Sequence, residues 1–170
     1  MLKSWQVKTP VLIDLLLRGN VIVNSSVVVR KSILDKLNGI NESTRMIAAE
    51  DFNTWLRISQ LTEKFLYLPS SLGYYLNHNQ SISQKKNMSM PTRSAVEEFL
   101  PVLKSTQKLQ LEVNLRYSSL RYNYLTDKYS DIKDDLKFLL RYGNAVKKIK
   151  ARILCIMMII KGNGRFEESK

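Results

Sequence analysis

The chain has one cysteine, Cys155, and one histidine, His78. A lone cysteine excludes an intrachain disulfide and fits a reducing compartment. One cysteine with one histidine also excludes a structural zinc site of the Cys/His type. Acidic residues are scarce: 15 Asp and Glu stand against 27 Lys and Arg among 170 residues, a formal charge of +12. That shortage biases the chain towards anionic partners such as nucleic acid, acidic phospholipid or phosphorylated substrates, without choosing among them. Long apolar runs are also lacking. The longest, Ile153 to Ile160, is well short of the ~20 residues a spanning helix needs. Met1 to Pro10 is polar, and Asp14 and Arg18 interrupt the apolar stretch after it, so a secretory signal is not expected and a cytoplasmic location is. The 44% hydrophobic content is that of a globular protein, either one domain or part of a larger one with an appendage.

The pattern along the chain predicts mixed structure. Thr9 and Pro10 open a short helix carrying Leu12, Leu15 and Leu16, and Gly19 stops it. Val21 to Val23 and Ser26 to Val29 are β-branched runs that read as strand, with Asn24, Ser25 and Ser26 placing small polar groups among them. Lys31 to Leu37 reads as a helix closed by Asn38 and Gly39, residue types that tolerate a left-handed conformation. Ala48 to Leu61 follows as an amphipathic helix with Glu50 and Asp51 near its start, then two short strands, Phe65 to Leu68 and Leu72 to Leu76. Past a polar stretch from His78 to Pro91 the pattern becomes helical. Val96, Phe99, Leu100 and Leu103 share one face, and Leu109, Val113, Tyr117, Leu120 and Tyr124 another. Ser130 is placed to cap a further helix ending near Gly143, and a last one runs from Ala145 to Ile160.

Four stretches occur in an order that carries more information than any one of them. They are Gly19 to Lys31 (GNVIVNSSVVVRK), Asn38 to Glu42 (NGINE), Glu50 to Arg57 (EDFNTWLR) and Leu72 to Ser83 (LGYYLNHNQSIS). The span from Gly19 to Ser83 that holds them is more than a third of the chain, and in this order they resemble the second half of a family 2 inverting glycosyltransferase of GT-A type. The resemblance implies an α/β fold: a partial GT-A, Rossmann-like domain over residues 1–88, followed by a basic helical tail over 89–170. It also implies transfer of a sugar from a nucleotide-sugar to a saccharide or lipid-linked acceptor, in surface polysaccharide or glycolipid synthesis.

Carried onto this chain, the family's acidic motif matches Glu50-Asp51 and makes Asp51 the general base for the acceptor hydroxyl. A carboxylate at a helix N-terminus has its charged form favoured by the dipole, and base assistance of this kind is worth about two to four orders of magnitude in rate. The plainer reading keeps both acids as first-turn stabilisers of the helix. Asn20, Ser25 and Ser26 fall where family members shape the acceptor pocket, or serve a strand crossing. Arg57 either points to a phosphate or acceptor hydroxyl, or forms a surface salt bridge, and Trp55 is expected in the core. His78 matches a position that in similar enzymes joins the metal or the leaving diphosphate. The usual Tyr-Arg-x-His pattern is broken here by Leu76, which puts a phosphate role of this loop in doubt.

The family holds magnesium or manganese with an Asp-x-Asp motif, and the metal neutralises charge on the leaving nucleoside diphosphate. No Asp-x-Asp occurs in these 170 residues, nor does a glycine-rich phosphate loop. The donor-binding half is therefore expected elsewhere, with a second chain as one source. Lys147, Lys148, Lys150, Arg152 and Lys161 bracket the apolar run, so residues 145–161 suit a peripheral helix at the inner face of a membrane. They suit equally a buried last helix with solvated lysines. Two other functional classes stay open: a non-catalytic membrane- or subunit-binding protein that keeps a transferase fragment, and a basic nucleic-acid-binding helical protein. The second is disfavoured because Arg116, Tyr117, Arg121, Tyr122 and Tyr124 lie at helical rather than platform spacing.

Overall fold

A computed structural model of the chain describes residues 5–70, 73, 87–127 and 132–167. The chain separates into two compact units, Met1–Lys86 with Met90–Lys104, and Asn87–Ser89 with Ser105–Lys170. Residues 90–104 thus cluster with the first unit and not with the helical tail.

The first unit is built on helices α1 (Val11–Arg18), α2 (Lys31–Lys36) and α3 (Glu50–Leu61), with nearly all of α4 (Ser89–Val96) and the 3-10 stretch Glu97–Val102. Both α1 and α2 pack against α3. Phe52, Trp55, Leu56 and Ile58 are buried along α3, and Val11, Leu15 and Leu16 along α1. Each fully buried leucine contributes about 1.5–3 kcal/mol from its area alone. Buried Asn53 donates through its amide nitrogen to the Ala95 carbonyl (2.9 Å) and to Glu98 Oε1 (2.7 Å), which ties α3 to the segment behind it. The start of α1 is capped from a distance. Its first N–H, on Val11, donates to Glu63 Oε2 at 2.8 Å. At the end of α2, Asn38 and Gly39 take φ of 56° and 81°, and the Gly39 N–H closes onto the Leu34 carbonyl at 3.0 Å. This is the left-handed stop expected of those two residue types.

The expected α/β, Rossmann-like architecture is not what forms. Among the described residues there is no strand and no sheet, only helices and turns. The β-branched runs are extended locally, with Val23 at φ −78°, ψ 117° and Val27 at φ −110°, ψ 140°, but among the described residues no strand pairs with them. Between them Asn24–Ser26 folds into a 3-10 turn, in which the Ser26 N–H and hydroxyl both donate to the Val23 carbonyl. Val28 is 100% exposed. The expected strand Phe65 to Leu68 is not a strand, and the Gln6 side chain bonds to its backbone. Gln6 donates to the Phe65 carbonyl (2.9 Å) and accepts from the Tyr67 N–H (2.9 Å). Propensity sets a backbone torsion, while a strand also needs a partner for its N–H and C=O groups. The other expected strand, Leu72 to Leu76, lies outside the described residues.

The second unit holds α5 (Ser105–Leu125), α6 (Ile132–Tyr142) and α7 (Ala145–Glu167), which pack on one another pairwise. Val113, Leu120, Leu139, Ala151 and Met158 form its core, with Tyr117, Tyr124, Phe138 and Leu154 packed around them. The α6–α7 link is two residues long. Buried Gly143 closes α6 by donating its N–H to the Leu139 carbonyl (2.8 Å), and Asn144 caps α7 by accepting from the Lys147 N–H (2.9 Å). Ser130, expected to cap α6, and Asp131, expected in its first turn, lie outside the described residues.

Candidate functional site

Asp51 sits in the first turn of α3, half-buried, beside the exposed Glu50. Its Oδ1 accepts the Phe52 N–H at 2.6 Å and, in a long contact of 3.4 Å, the side-chain amide of Asn20. Asn20 is held in turn by a local bond, its Oδ1 accepting the Ile22 N–H at 3.1 Å. Residues 31 positions apart, from the first and third of the four stretches, are thus brought onto one carboxylate. Burial lifts the Asp51 carboxyl above its ordinary value of 3.8; the Phe52 N–H and the Asn20 amide pull it back, and the Glu50 charge adds a smaller upward push. Such a carboxylate keeps one oxygen fixed by donors and holds a proton more readily than a free aspartate does, as a general base requires.

The other expected site residues divide. Ser25 and Ser26 are exposed in the 3-10 turn, and the Ser26 hydroxyl is spent on the Val23 carbonyl. Among the described residues the partners of Arg57 are backbone carbonyls and not the acid of a surface salt bridge. From the middle of α3 its guanidinium donates to the Gly39 carbonyl (3.0 Å) and to the Leu37 carbonyl, so it secures the end of α2. A bidentate fork suits that task better than an ammonium would. Trp55 is in the core. His78, with its expected metal or diphosphate role, lies outside the described residues.

Among the described residues no three His, Cys, Asp or Glu side chains converge to hold a metal ion, so the donor set that magnesium or manganese would need is not found in them. Asp134 and Asp135 lie in the first turn of α6, where Asp135 Oδ1 takes an Arg116 bond at 3.1 Å.

Several cations of the second unit are placed over its aromatic rings. Arg116 binds Glu112 (2.7 Å) and covers the Phe138 ring, Lys147 lies 4.2 Å from the Tyr117 ring centroid, and Lys161 lies 4.7 Å from that of Tyr124. Tyr117 and Tyr124 pack against the core, so neither offers an open stacking platform for bases. Burial and the Lys150 charge lower the Lys147 ammonium from its ordinary 10.5.

Compared with known proteins, the chain finds no match among family models, curated sequences or solved structures.

Proposed function

We propose that this chain carries the acceptor side of an inverting sugar transfer, with Asp51 as the general base. The observation that carries the proposal is the half-buried Asp51 at the start of α3, lifted above 3.8 by burial and touched by Asn20. The order of the four stretches supports the same reading. In the reaction, the acceptor hydroxyl gives its proton to the free oxygen of Asp51 as its own oxygen bonds to the anomeric carbon. The bond from that carbon to the nucleoside diphosphate breaks on the opposite face, and the diphosphate leaves with the electron pair. Asn20 and the Phe52 N–H hold the other carboxylate oxygen, which keeps the base oriented while its charge changes. The donor comes as a nucleotide-sugar, and a divalent metal supplied with it would neutralise the leaving diphosphate.

The reading is tested by following nucleoside diphosphate release from a panel of nucleotide-sugars with saccharide or lipid-linked acceptors present. Asp51→Asn is expected to slow transfer by about two to four orders of magnitude. An Asp51→Asn variant as fast as the parent chain would remove the base assignment. No release and no saccharide binding at any concentration tried would remove the transferase reading itself.

A further inference from the structure

The last helix is apolar on two sides. Towards the second unit's core, α7 buries Ala151 and Met158 and packs Leu154 beside them. On a helix of about 3.6 residues per turn, a second stripe falls nearly opposite, made by Val146, Ile149, Ile153, Ile156 and Ile160 at intervals of three and four residues. Each of these five side chains is between 50% and 66% exposed. A row of five β-branched side chains in water needs a cover. The charges beside it indicate which. Lys150 lies on one flank and Arg152 on the other, both exposed, and no Asp or Glu occurs between Ala145 and Lys161. Lys147 and Lys161 are turned away, onto Tyr117 and Tyr124. A second copy of α7 laid along this stripe would set cation against cation at its edges with no acid to pair them. A surface of anionic headgroups matches both the stripe and its flanks. None of the helices searched is long and apolar enough to cross a membrane.

We infer that the Val146–Ile160 face of α7 docks in the plane of an anionic lipid bilayer, its isoleucines entering the headgroup boundary and Lys150 and Arg152 reaching the phosphates. This stands independently of the sugar-transfer reading, since Asp51 belongs to the other unit. The full chain is floated on a density gradient with vesicles of phosphatidylcholine alone, or of phosphatidylcholine mixed with phosphatidylglycerol. It is expected to rise with the mixed vesicles and stay behind with the neutral ones. Ile153→Asp with Ile156→Asp, both at exposed positions, is expected to abolish flotation while leaving helical circular dichroism unchanged. Lys150→Glu with Arg152→Glu, which spares the apolar stripe, is expected to weaken it by on the order of tenfold, and keeps the test decisive if the aspartates unfold the helix. A parent chain that ignores anionic vesicles overturns the inference. So does a folded aspartate variant that floats like the parent, or a sedimenting dimer of the parent that the same variant dissociates.

Discussion

At Asp51 burial of the carboxylate works against the fold at neutral pH. A carboxyl whose folded value lies above its unfolded one contributes stability in acid, fully present below the unfolded value and lost as pH rises through the folded one. For Asp51 the lower limit of that window is 3.8 and the upper limit lies above it. Asp51→Asn keeps the shape and the two donor contacts but removes the charge. It is therefore expected to melt higher than the parent chain at neutral pH, with the difference closing as pH falls to the ordinary carboxylate range. Thermal melts of both proteins across that range check this, and a variant that melts lower at neutral pH would mean the helix dipole outweighs burial. The site was legible in part. The resemblance marked Asp51, whereas spacing alone fitted a first-turn stabiliser of the helix, and nothing in the spacing of Asn20 and Asp51 foretold their contact. The partners that Arg57 has here were not legible, because backbone carbonyls of a distant helix end leave no trace in side-chain identity.

Elements that depend on their own residues were the readable ones. The Asn38-Gly39 stop, the helix from Gly19 back to Val11 and the periodic stretches of the second unit all follow from local chemistry. Elements that need a distant partner were not. Val21 to Val29 has the composition of a strand and pairs with no strand among the described residues, while Glu63 caps α1 from 52 residues away and Gln6 serves the backbone of 65–67. The tight link between α6 and α7 gives a sharp test at this scale. A Cβ on Gly143 would lie 2.5 Å from the Leu139 carbonyl oxygen, a backbone atom held in the last turn of α6. Gly143→Ala is accordingly expected to destabilise the second unit by more than about 1 kcal/mol. Chemical denaturation reads this directly, and an alanine as stable as glycine would show that the link can relax without loss.

Over the whole chain, an excess of twelve positive charges accompanies two separately packed units that use their polar groups differently. The first gathers Asn20, Glu50 and Asp51 near one helix start. The second spends most of its named aromatics and several cations on mutual packing, and leaves one flanked isoleucine stripe in water. The proposed sugar transfer and the proposed lipid docking draw on these two features separately, and Asp51 is the residue on which the transfer reading turns. The most direct measurement is the carbon NMR titration of the Asp51 carboxyl, assigned by its loss in Asp51→Asn, in the free chain and with saccharide acceptors added. The account predicts a midpoint above 3.8 that moves when an acceptor binds. A carboxyl that titrates at or below 3.8 and is unmoved by every saccharide would contradict it.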